Sequence, residues 1–248
     1  MKIRRLVLSV TLASPLLLAS CWIQTPPEPT VEELDKGLIV LYPGISSLPS
    51  DMIKWYEALR AEGIDRAIEV ISYGPTLDLI GNLQNFDRNA AFSQTEAVRI
   101  ADYIDAHPGR PVTLIGYSGG TAIAVLTAAA LPDGYSVEQV LLFSSGLSAQ
   151  YDLTPALDRS KEGILHFWSP VDELSLFFTN LLGTMDGFHD VPPAATVGFE
   201  LEDERLRQWT WTEGMRALGN NGDHTDYLWN EAWLRVYLPP LITPDSAS

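Results

Sequence analysis

The 248-residue chain carries Gly116, Tyr117, Ser118, Gly119 and Gly120, a serine spaced between glycines as G-x-S-x-G. It follows the apolar run 112–116 and precedes the small-residue stretch 121–130, so the serine is expected on a tight strand-to-helix turn with its hydroxyl exposed. A serine hydroxyl is a poor nucleophile until a positioned base takes its proton. Of the four histidines, His107 lies in a helix-terminating HPG turn and His166 inside the strand-like run ILHFW. His224, in the flexible loop GNNGDHT just before the last predicted helix, is the best-placed base, with His189 in GFHDVPP as second choice. An imidazole acting as base needs an acceptor for its other nitrogen. Asp172 in SPVDE, just after the run 164–168, is the leading acid, and Asp186 and Asp190 are less well placed.

The chain order Ser118, Asp172, His224, together with the glycine-flanked serine on its strand–turn–helix, resembles the α/β-hydrolase superfamily over roughly residues 38–238. The resemblance implies a serine esterase or lipase-like enzyme that cleaves a small-molecule or lipid ester through an acyl-enzyme, without a cofactor. It implies Ser118 as nucleophile, His224 as base and Asp172 as the acid that orients it. It also implies an oxyanion hole from the amides of Gly119 and Ile45, the latter in the turn Pro43-Gly44-Ile45, where Pro43 stands in place of the family's frequent His. An acyltransferase on the same triad, and a lipid-anchored binding module that keeps the fold without turnover, are the two rival readings.

Positioning these residues requires strands that end at a common edge. Short apolar runs at 38–42, 68–72, 112–116, 137–143, 164–168 and 208–212 alternate with amphipathic stretches, the pattern of parallel strands joined by crossover helices. One helix is expected to start at Ser50 and stop at Gly63; another opens on a Ser93–Glu96 capping box and ends at 107–109. A third covers 121–130, and a closing helix covers 227–237 with Pro239 and Pro240 as terminators. The expected fold is therefore α/β, a doubly wound and mostly parallel sheet of about six strands with helices on both faces. It lacks the family's first hairpin and any large cap, since no long insertion separates 143 from 164. The apolar cluster Leu174, Leu176, Phe177, Phe178, Leu181 and Leu182 reads as a core helix ahead of an acyl pocket or small lid. The tryptophans at 209, 211, 229 and 233 read as packing residues.

Net charge is −16, from 16 Lys+Arg against 32 Asp+Glu, so the long-range field repels phosphate backbones and excludes a nucleic-acid binder. The single cysteine, Cys21, can form neither an intramolecular disulfide nor a multi-cysteine metal site. Ahead of it stand Lys2, Arg4 and Arg5, an apolar run over 6–18, then Leu18-Ala19-Ser20, which resembles a bacterial lipoprotein signal. On that reading residues 1–20 are a signal peptide and 21–34 an acylated Cys21 with a Pro-rich tether. The hydrolase domain covers 35–242 and a disordered tail 243–248. The protein is then held to a membrane of the bacterial cell envelope, facing the periplasm or exterior, by acyl chains rather than by a basic patch. No metal is expected, although Asp186 with Asp190 leaves a weak calcium site conceivable.

Overall fold

The computed structural model describes residues 24–242. The expectations for the leader 1–20, for Cys21 and for the tail 243–248 lie outside the described residues. Strands β1 (Leu38–Tyr42), β2 (Ala67–Val70), β3 (Val112–Tyr117), β4 (Gln139–Phe143), β5 (Ile164–Trp168) and β6 (Leu206–Thr210) form one sheet, ordered β2-β1-β3-β4-β5-β6. Every pairing is parallel. The register aligns Tyr42 with Gly116, Tyr117 with Phe143 and Phe143 with Phe167, so the loops after β1, β3, β4 and β5 all leave from one edge. Winding direction reverses between β1 and β3, which places the crevice of a doubly wound sheet at the carboxyl ends of those two strands.

Strand residues alternate between two cores because successive side chains point to opposite faces. Leu38, Val40, Tyr42, Leu114, Val140 and Leu142 belong to one, and Ile39, Leu41, Ile115, Leu141, Phe143 and Phe167 to the other. Both faces are apolar, so both must be covered. The named helices are α1 (Ile53–Ala61), α2 (Leu79–Gln84), α3 (Phe86–Ala106), α4 (Gly120–Ala129), α5 (Glu173–Leu182) and α6 (Glu231–Tyr237), with single helical turns between some of them. Helices α3 and α4 cover the first face and α1 and α6 the second.

Several boundaries differ from the expectation, each for a local reason. Helix α3 is capped by Asn85, whose side chain accepts from the Arg88 N–H at 3.1 Å, eight residues before the expected cap. Ser93 and Glu96 are therefore mid-helix and buried, and Glu96 is satisfied by the Tyr42 hydroxyl and Arg99 instead of capping. Ser50 does not cap either; it sits inside a 3₁₀ turn, Pro49–Met52, that leads into α1. The closing helix is broken at Asn230, whose side chain caps α6 by accepting from Trp233 N–H at 3.1 Å. Pro239 opens a further turn, Pro239–Ile242, since proline lacks only an N–H that a first turn leaves unused. At the other end, Thr30 and Glu33 form a capping box for the turn Val31–Leu34, and residues 25–29 line a groove with Pro49 and 68–71 along the β2 edge. Among the described residues no helix is long and apolar enough to cross a membrane.

Two core residues make this architecture testable. Trp233 is fully buried, with its ring edge-on to Phe143, Phe167 and Tyr227 and stacked on Tyr237. Trp233→Ala should lower unfolding free energy by about 3–5 kcal/mol in denaturant titrations. His166, fully buried in β5 against Phe199, has its pKa lowered from 6.5 to about 4 by burial, against a weaker raising influence of Gln208. The unfolded imidazole takes up a proton below about pH 6.5 and the native one only near pH 4, so stability is full above that window and falls as pH drops through it. His166→Leu should abolish roughly 3 kcal/mol of that acid-side loss, read as the pH dependence of stability between these values.

Candidate active site

The turn after β3 is built by steric necessity. A Cβ on Gly116 would stand 2.5 Å from Thr121 Cα, and one on Gly120 would stand 2.2 Å from the Tyr42 carbonyl oxygen. Only hydrogen at these two positions lets β3, α4 and the loop after β1 approach this closely. Between them Ser118 holds φ at +53°, a left-handed conformation that non-glycine residues rarely adopt and that aims its side chain off the sheet edge. Thr121 Oγ1 donates to the Ser118 carbonyl at 2.5 Å and Ser118 N–H to the Phe143 carbonyl at 2.9 Å, so the turn is tied to β4.

Ser118, Asp172 and His224 come together from the ends of β3, β5 and the loop before α6. Ser118 Oγ is 2.9 Å from His224 Nε2, and His224 Nδ1 is 2.9 Å from Asp172 Oδ2. The His224 loop is tied down at several points: Tyr117 Oη donates to the His224 carbonyl at 3.0 Å, Asn221 N–H to Asp226 at 2.6 Å, and Gly222 N–H to Asn220 at 2.9 Å. The Tyr117 ring packs 5.2 Å from the imidazole. Asp172 caps α5, accepting from Ser175 N–H at 2.9 Å, with its side chain wholly buried. Burial pushes that carboxyl up, but the bond and charge of His224, the Ser144 hydroxyl and the Ser175 amide outweigh it and hold the pKa below 3.8.

The other candidates are engaged elsewhere. His189 lies against Gly183 and has no hydrogen bond to the three residues above, and His107 pairs with Asp35 at 3.1 Å and stacks on Tyr103. Asp186 accepts from Ser148 through both amide and hydroxyl. Ile45 N lies 3.3 Å from where a Gly119 Cβ would stand, so the two amides proposed for the oxyanion are neighbours, and among the described hydrogen bonds neither donates to a protein acceptor. Gly119 also precedes α4, whose N-terminal end carries partial positive charge. A pocket of about 200 Å³ opens here, with Ser118 and His224 in its wall and Ile45, Leu79, Leu83, Phe178, Met185 and Leu228 as apolar lining.

Helix α5 overturns the expectation of a core helix. Leu174, Leu176, Phe177 and Leu181 are 40%, 41%, 61% and 63% exposed, whereas Ser175 and Thr179 are buried. On its inner stripe Ser175 contacts Asp172 and His224 while the Thr179 hydroxyl donates back to the Ser175 carbonyl at 2.8 Å, and only Phe178 and Leu182 keep apolar contacts with the pocket or core. Of the tryptophans, Trp233 is buried, Trp211 donates to the Asn220 carbonyl at 3.0 Å and Trp209 packs edge-on to Phe167 at 5.2 Å, whereas Trp229 is 48% exposed, contrary to its expected packing role.

Two neighbours of the triad escaped the sequence reading. Ser144 Oγ makes a short hydrogen bond to Asp172 Oδ2 and lies 2.8 Å from His224 Nδ1. Ser175 Oγ donates to the same Oδ2 at 2.9 Å and also lies 2.8 Å from Nδ1. For Ser175 the available signal was the serine three residues after Asp172, and for Ser144 its place at the end of a strand next to that of Ser118.

No family model matches the sequence, and no curated protein does. Solved structures do share the architecture. Lipase B of Aspergillus fumigatus superposes with a TM-score of 0.50 at 14% identity, over 84% of this chain and 53% of that one. Esterase PE8 gives 0.46 at 18% identity, over 76% and 89%, and the esterase domain of a Rhodothermus marinus protein 0.46 at 14%, over 87% and 88%. At these identities the likeness concerns the fold: the chain has the six-stranded, doubly wound sheet of the α/β-hydrolases.

Proposed function

We propose that this chain is a serine hydrolase that cleaves carboxylic esters through an acyl-enzyme. The observation that carries the reading is the unbroken relay of two 2.9 Å contacts from Ser118 through His224 to Asp172. Ser118 Oγ bonds to the ester carbonyl carbon while its proton passes to His224 Nε2, and Asp172 steadies the imidazolium. Charge on the carbonyl oxygen is met by the amides of Gly119 and Ile45, held in place before the reaction begins. Collapse breaks the carbon–oxygen bond to the alcohol, which leaves with the proton from Nε2. Water then attacks the acyl carbon and gives a proton to Nε2; the bond to Ser118 Oγ breaks as that proton passes to it, which releases the acid and regenerates Ser118 and neutral His224.

The apolar lining of the pocket favours an ester with a hydrocarbon acyl group. A volume of about 200 Å³ favours a short one. We also propose, on the leader residues alone, that Cys21 is acylated and tethers the enzyme to a membrane of the bacterial cell envelope.

A fluorophosphonate probe should label the wild-type chain and leave Ser118→Ala unlabelled, with ester turnover in the variant reduced on the order of 10⁶-fold. Absence of labelling in folded wild-type protein would instead favour the binding module. Among p-nitrophenyl esters, kcat/KM should be higher for butyrate than for palmitate; the reverse order would place the acyl chain along the exposed face of α5. Growth of an expressing bacterium on radiolabelled palmitate should label the wild type and not Cys21→Ser.

A further inference from the structure

We propose that Ser144 and Ser175 are positioning residues that lock His224 in the tautomer able to accept the Ser118 proton, a role that rests on the hydrolase reading. A neutral imidazole carries one N–H, and transfer from Ser118 to Nε2 requires that hydrogen on Nδ1. Three oxygens surround Nδ1: Asp172 Oδ2 at 2.9 Å, Ser144 Oγ at 2.8 Å and Ser175 Oγ at 2.8 Å. Each hydroxyl has a single proton, and each also contacts Oδ2 of the carboxylate. An ionised carboxylate offers only lone pairs, so both hydroxyl protons go to it. What each serine then presents to Nδ1 is a lone pair. A ring with hydrogen on Nδ1 meets three acceptors; a ring without it sets its own lone pair against three others. The preference that one carboxylate would impose is thus imposed by three oxygens, and the same three face the imidazolium that forms when Ser118 gives up its proton.

The surroundings are built for this contact. Ser144 is fully buried at φ +52°, a left-handed conformation that glycine would hold with less strain, so what a serine adds there is its hydroxyl. Ser175 is turned inward on a helix whose opposite side exposes leucine and phenylalanine. The two Oγ atoms are 3.5 Å apart and share the same carboxylate oxygen.

Glycine at position 144 separates the lock from a structural role. If Ser144 only shapes its turn, Ser144→Gly relaxes the backbone and leaves turnover unchanged. The lock requires the opposite: KM unchanged and kcat about tenfold lower, still short of the ~10⁴-fold that a wholly wrong tautomer costs. Ser175→Ala, which keeps the amide that donates to Asp172, should behave likewise, and the double variant should lose more than either. In ¹⁵N spectra of the full-length chain at a pH where the ring is neutral, wild-type His224 should carry hydrogen on Nδ1 alone, and the double variant should show a population with Nε2–H. An unchanged kcat in both single variants, or a double variant with hydrogen on Nδ1 alone, would overturn the proposal. Should Ser144→Gly fail to fold, Ser175→Ala decides by the same two readouts. Should the wild type prove inert to esters and to the fluorophosphonate, the hydrolase reading falls while the spectra still report the tautomer.

Discussion

A carboxylate with no solvent exposure is the constraint around which the site is arranged. Asp172 retains its charge only because donors surround it: the imidazole, two hydroxyls and a backbone amide. A buried charge without such partners would neutralise or unfold its surroundings. Meeting that demand dictates much nearby. It turns Ser175 inward, holds Ser144 in a strained turn, and makes Asp172 serve both as cap of α5 and as acceptor for His224. Because helix start and imidazole share one carboxylate, the pocket wall that α5 supplies is fixed relative to the relay.

The sheet supplies the second requirement, which is convergence. Parallel strands in register present their carboxyl ends on one edge, so the residues that follow β1, β3, β4 and β5 are brought within reach of one another although they stand at positions 45, 118, 144 and 172 of the chain. The reversal between β1 and β3 opens the crevice in which Ile45 and Gly119 become neighbours. Packing at the elbow is tight enough that both motif glycines are sterically obligatory, and this tightness keeps Ser118 in its left-handed conformation.

What could be read from the sequence divides along the range of the forces involved. Strand positions and the two-faced sheet were legible because burial on both faces writes continuous apolar runs such as LIVLY and ILHFW. Ser118, Asp172 and His224 were legible because each stands in a recognisable local setting: a glycine-flanked turn, a strand end, a loop before the last helix. Ser93 and Glu96 misled because the capping-box spacing is equally compatible with the interior of a longer helix, where Tyr42 and Arg99 satisfy Glu96 through space. Ser144 was silent for the same reason, since its meaning depends on two partners 28 and 80 residues away.

Helix α5 shows how far this non-local logic reaches. Its sequence ELSLFFTNLL is apolar enough to suggest burial, and on propensity alone its leucines would turn toward the sheet. They do not, because the side of the helix nearest the core already contains a charge and an imidazole, and hydroxyls can satisfy those groups where leucine cannot. The apolar residues are displaced outward by exclusion, with Phe177 and Leu181 more than half exposed. The polar relay and the hydrophobic outer side of α5 therefore have one origin: the demand of Asp172 for donors selects which side of α5 faces inward, and that choice leaves its leucines and Phe177 outside the lining of the pocket in which Ser118 stands.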